Sequence, residues 1–219
     1  SVALGSGAAS AAVVDLSAGD LVNVVGGPGS ASTAPWAPSN LYLSNISYSV
    51  NGNSKTTKAG MFDLLVEHVG EGDWQRLLAF CLEPDKNFAY NNPFLVVDNI
   101  SNDLRKMWGT YFADVDTQLE AAAFQIAIWE LVVDAGGGYD LTSGNFVLGS
   151  GQNALETKAN EYLSGWDAWA ALLRLQDLGK NAQGGKQDLL VEVPVPGTLA
   201  LLGIGLAALG AVRRKKVDA

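Results

Sequence analysis

The rhythm of apolar and polar positions changes about halfway along this chain of 219 residues. In the first half it has period two. Ile46, Tyr48 and Val50 alternate with polar residues before Asn51-Gly52, which predicts a strand running into a tight turn. Apolar stretches at 61–69 and 76–82 predict two more strands, joined by the Gly70-Glu71-Gly72-Asp73 turn. In the second half the period is helical. Leu104, Met107, Trp108 and Tyr111 mark a short helix, and 153–162 a later one. Between them Thr117-Gln118-Leu119-Glu120 has the form of a capping box, with a hydroxyl and a carboxylate placed to satisfy each other's backbone N–H groups. A helix starting there puts Ala121, Gln125, Ile128, Trp129 and Val132 on one stripe, and Asp134 with Gly136-Gly137-Gly138 ends it. Residues 188–193 predict a closing strand, and the glycine-, serine- and proline-rich stretch 17–39 a loop. The pattern as a whole predicts an α+β fold: an antiparallel β-sheet or sandwich with helices concentrated in the second half.

The end of the chain follows a different logic. Val193-Pro194-Val195-Pro196-Gly197-Thr198 leads into an apolar run at 199–212, closed by Arg213-Arg214-Lys215-Lys216. Two prolines fix an extended spacer, the apolar run enters a bilayer, and four adjacent cations stay on its cytoplasmic side. As a helix the run would span about 21 Å, against a hydrocarbon core of roughly 30 Å, so a permanent tail anchor would be strained. A buried terminal helix, the other alternative, would not finish in four cations. The order of spacer, apolar helix and cations resembles the PEP-CTERM sorting signal, with Val195 where that family has glutamate. The resemblance implies processing by the membrane transpeptidase exosortase in a Gram-negative bacterium, transient inner-membrane anchoring, and delivery to the cell surface or extracellular matrix.

The opening residues are consistent with export. Residues 1–14 are small and apolar, and Ala9-Ser10-Ala11 fits the pattern signal peptidase accepts, so 1–11 read as residual signal peptide. A small-residue first strand is the alternative. The expected organisation is then an ectodomain at 12–192 and a sorting signal at 193–216. Charge narrows its partners. The whole chain carries −9, while residues 199–219 carry four cations and Asp218, a net +3, leaving −12 on the rest. Such a domain repels nucleic acid and anionic lipid.

A single cysteine is unusual in an exported chain, because it cannot close an internal disulfide. Cys81 lies in the apolar run Leu77-Leu78-Ala79-Phe80-Cys81-Leu82, and Gln125 sits at the centre of the capped helix's stripe. A buried carboxamide without partners costs on the order of 1 to 3 kcal/mol, so Gln125 must be hydrogen-bonded or chemically changed. Gln125-Ile126-Ala127-Ile128-Trp129, with Phe80-Cys81-Leu82 upstream, resembles the paired motifs of bacterial Cys-Gln thioester domains, with Phe124 where that family has threonine. The resemblance implies that the Cys81 sulfur and the Gln125 carbonyl join as an internal thioester. It also implies covalent attachment to an amine-bearing surface or matrix target. Phe80, Phe124, Ile128 and Trp129 would shield the bond from water. The alternative is a core cysteine beside a hydrogen-bonded glutamine, in a non-covalent structural or adhesive protein.

Other residues offer less. His68, the only histidine, could in principle pair with Cys81, but no nucleophile signature surrounds the cysteine. Asp98, Asp103, Asp114 and Asp116 lack the spacing of a calcium loop and read as solvated carboxylates. Neither a metal nor a cofactor is expected, and the chain is not expected to be an enzyme.

Overall fold

The computed structural model describes residues 15–26, 41–88, 93–136, 138–179 and 185–192. The spans read as signal peptide and sorting signal, including the expected C-terminal helix, lie outside them. The described residues form nine strands in chain order: β1 (Leu21–Gly26), β2 (Tyr42–Val50), β3 (Asn53–Gly60), β4 (Phe62–His68), β5 (Gln75–Cys81), β6 (Pro93–Val97), β7 (Phe146–Leu148), β8 (Leu172–Asp177) and β9 (Leu189–Glu192). Three helices are interspersed in the second half, α1 (Asn102–Tyr111), α2 (Gln118–Val133) and α3 (Asn153–Tyr162). All strand pairs are antiparallel. The expected α+β arrangement is therefore present, and its main sheet closes on itself. Six strands form a barrel in the order β1-β4-β5-β9-β8-β6, while β3-β2-β7 make a separate sheet.

Local chemistry explains most boundaries. Asn51 and Gly52 both have positive φ, 51° and 78°, as the two-residue turn between β2 and β3 requires. The Thr117 hydroxyl accepts from the Glu120 N–H at 3.2 Å and the Glu120 carboxylate accepts from the Thr117 N–H at 3.0 Å, so the capping box exists as read. Inside the barrel, Val22, Val24, Leu64, Val66, Leu77, Ala79, Phe94 and Val96 are buried at period two, the alternation that fills a small barrel with side chains.

Two expectations need correction. The stretch 17–39 is not loop throughout, because Leu21–Gly26 is β1, with Val22 and Val24 turned into the barrel. Residues 27–40 lie outside the described set. The helix carrying Gln125 also does not bury a single stripe. Every residue of α2 from Ala121 to Leu131 is buried, because the helix lies against β2, β3, β5, β7, α1 and α3 together. Alanines at 121–123 and 127 allow neighbours to approach on all sides.

One buried acid on α2 carries a pH prediction. The Glu130 side chain accepts from the Asp140 N–H at 2.8 Å, tying the loop after α2 to the helix, while its second oxygen is buried with no partner among the described residues. Burial pushes its pKa up to about 7, and the nearby carboxylates Asp134 and Asp140 add to the rise. A carboxyl with a raised folded-state pKa stabilises the fold while protonated. That contribution is lost as pH climbs from the unfolded value, 4.5, to about 7. At about 1.4 kcal/mol per unit the loss reaches roughly 3 kcal/mol. Glu130→Gln removes the titration, so the variant's melting temperature should gain on the wild type's across this window in a thermal melt series and hold its lead at higher pH.

Candidate functional site

The junction between β5 and α2 brings together the two residues that the sequence singled out. Strand β4 pairs with β5 only as far as Phe62 opposite Ala79. Just before that point the chain belongs to β3, and Gly60 lies so close to Leu41 and Tyr42 that an added Cβ would stand 2.2 Å from the Leu41 carbonyl oxygen. Cys81, two residues beyond Ala79, therefore finds no strand partner on that edge among the described residues. The side chain of Gln125 takes the vacant place. Its Oε1 accepts from the Cys81 N–H at 2.9 Å and its Nε2 donates to the Cys81 carbonyl at 2.7 Å. A side-chain carboxamide thus continues the ladder that β4 leaves. Of the two fates open to this buried amide, hydrogen bonding is the one seen, and its partner is the main chain of Cys81.

Burial around the pair is nearly complete, with Cys81 at 3% exposure and Gln125 at 1%. The expected apolar shield divides into two clusters. Phe80 and Phe124 touch with ring centroids 5.1 Å apart, and Trp108 and Phe112 join them from α1 and the turn that follows it. Trp129 faces the other way, onto Tyr48 at 5.3 Å and Phe146. Ile128 is fully buried on α2. Alternation along β5 puts Cys81 on the same face as Leu77 and Ala79, opposite Phe80.

The electrostatics keep the thiol neutral. Burial pushes the Cys81 pKa well up, and the charge of Glu83 raises it further. Glu83 is fixed two residues beyond the cysteine, accepting from Lys86 at 3.0 Å and from the Asp188 N–H at 2.7 Å. Arg174 bridges the same carboxylate and that of Asp188. Tyr48 closes this end, donating from its hydroxyl to the Pro84 carbonyl at 2.5 Å, and burial pushes its pKa up to about 12. Sequence patterning identified neither this polar network nor Tyr48 as part of the site, because the contacts that tie it together, Tyr48 with Pro84 and Asp188 with Glu83, join residues 36 and 105 apart and leave no local signal.

The weaker candidates lie elsewhere. His68 ends β4, whereas Cys81 ends the antiparallel β5 beside the start of β4, so the two stand at opposite ends of the barrel and make no dyad. The His68 ring lies between Asp73 at 3.5 Å and Asp20 at 3.4 Å. Burial alone would lower its pKa, but these carboxylates raise it. Asp98 pairs with Arg105, and Asp103 accepts from the Tyr139 hydroxyl at 2.7 Å. Asp116 is exposed beside Glu120.

Residues 192–215 match the family model of the PEP-CTERM protein-sorting motif. This covers the spacer with Pro194, Pro196, Gly197 and Thr198, the apolar run, and Arg213 and Arg214. The motif supports exosortase-dependent export and localisation at the cell surface. Among the described residues no helix is long and apolar enough to cross a membrane. No curated protein and no solved structure matches the chain.

Proposed function

We propose that this is a surface protein whose Cys81 and Gln125 form an internal thioester and thereby attach it covalently to amine-bearing surface or matrix targets. The observation that carries the reading is the paired hydrogen bond between the Gln125 carboxamide and Cys81. It holds the acyl group against the one residue in the chain able to take it as a thioester. The Cys81 N–H already donates to Oε1, where negative charge develops when a nucleophile adds to the carbonyl, so one residue supplies both nucleophile and oxyanion donor. In the forming step the thiol sulfur bonds to Cδ of Gln125, the C–N bond breaks, and nitrogen leaves as ammonia with the thiol proton. In the attaching step a target amine bonds to the same carbon, and the sulfur departs as the thiol. The acyl group is consumed once, so the protein is a single-use reagent and not an enzyme. Signal peptidase and exosortase would act during export, before this chemistry.

A second reading is favoured by the same hydrogen bonds. Because both polar atoms of Gln125 are satisfied, the pair also works as a structural clip between α2 and the barrel, in a non-covalent matrix or adhesive protein. Intact mass of the exported protein separates the two. The thioester form should be lighter than its sequence mass by one ammonia, and Cys81→Ala should remove the deficit. A full sequence mass would support the clip alone.

A further inference from the structure

We propose that one end of the barrel docks on the lipid surface while the sorting segment is still uncut. Strand directions identify this end. β1 begins there, β4 finishes there with His68 opposite Val22, and β5 starts there with Gln75 opposite Val66. β9 runs against β5 and so leaves the barrel at the same end, at Glu192, opposite Leu172 at the start of β8. Of the six large apolar side chains exposed among the described residues, four lie at or beside these positions: Leu21, Val69, Trp74 and Trp169. The Val69 N–H donates to the Leu21 carbonyl at 3.0 Å, which places those two together. Trp169 is 59% exposed yet firmly held. The Ala170 N–H donates to the Arg105 carbonyl at 3.0 Å, the Arg105 guanidinium lies 5.0 Å from the indole, and Gly109 lets the segment touch α1 where a Cβ would stand 2.5 Å from the Trp169 backbone.

The chain beyond Glu192 commits this surface to a bilayer. Six residues, 193–198, separate the last strand from the apolar run. Fully extended they reach at most about 20 Å, so with the run inserted this end of the barrel stays within that distance of the headgroups. Tryptophan favours that layer, since its ring is apolar and its N–H is polar. Asp20, Glu71 and Asp73 surround His68 at the same end, so the matching surface is zwitterionic and not anionic. The tether supplies an effective concentration near the millimolar range for a contact too weak to persist alone. Cutting the tail releases it.

The test uses the full chain, inserted through its own tail into phosphatidylcholine vesicles that carry a nitroxide on the headgroup. Tryptophan emission should be quenched. The quenched share should fall sharply in the W74F/W169F double variant, whose exposed positions leave the core intact, and cleaving the tail should restore wild-type emission. Equal quenching of wild type and double variant, or no quenching of the wild type, would overturn the proposal. The status of the thioester changes none of these readouts.

Discussion

Gln125→Ala should cost the domain about 2 to 6 kcal/mol of unfolding free energy, since it strands two buried backbone groups at roughly 1 to 3 kcal/mol each. Those groups are the N–H and carbonyl of Cys81, which have no strand partner on that edge among the described residues. Against a typical total of about 5 to 15 kcal/mol, the loss is large enough to leave the variant partly unfolded near room temperature. Gln125→Met keeps most of the volume and still removes both bonds, so it should cost nearly as much if hydrogen bonding dominates. Cys81→Ala makes the informative contrast. It leaves the main chain of residue 81 in place and deletes one sulfur from a buried position, a loss on the order of 1 kcal/mol. Urea unfolding of the three variants then reads out the role of the pair. A clip predicts a steep asymmetry, with the glutamine variants far weaker than the cysteine variant. A covalent cross-link adds a shared loss to all three, so Cys81→Ala too should fall well below the wild type, by more than the deletion of one sulfur explains.

The legible parts of this fold share a cause: their signals are local. The capping box at Thr117 and the Asn51-Gly52 turn each lie within four residues, and both stand in the structure as the sequence indicates. Of the strands that the pattern does not mark, β3 follows that turn but is mostly polar, and four others lack such local signals. β1 abuts a stretch rich in glycine and proline, and β6 opens on Pro93. β7 is three residues long, and β8 interrupts its leucines with Arg174. Barrel closure rests on registers such as Leu21 with Leu95 and Ala79 with Val191, and no local pattern encodes pairings across 74 or 112 residues. The stripe through Gln125 was real but incomplete. Ala122, Ala123, Phe124, Ile126 and Ala127 cover the remaining faces of α2, which a one-sided reading assigns to solvent. The meeting of Gln125 with Cys81 was legible only by resemblance, because the vacancy it fills arises where β4 gives way to β3.

Methylamine offers the most direct view of the chemistry. An unmodified carboxamide is inert to amines at ambient temperature, whereas a thioester acylates them. The full chain incubated with methylamine should therefore acquire one adduct at Gln125 and one titratable thiol at Cys81, in equal amounts. The surroundings of the pair predict the rate. With Cys81 at 3% exposure and Gln125 at 1%, an amine must wait for a local opening, so reaction should be slow in native buffer and quicken in sub-denaturing urea. Burial also raises the thiol pKa, so sulfur is a poor leaving group as thiolate and should depart taking the proton that the amine gives up. The free base is the attacking form, so the rate should climb with pH toward the amine's own pKa. Cys81→Ala and Gln125→Ala should each abolish the adduct completely. A wild-type protein that shows its thiol from the outset and takes up no amine, even when loosened by urea, would withdraw the covalent reading and leave Gln125 as the residue that completes the edge of β5.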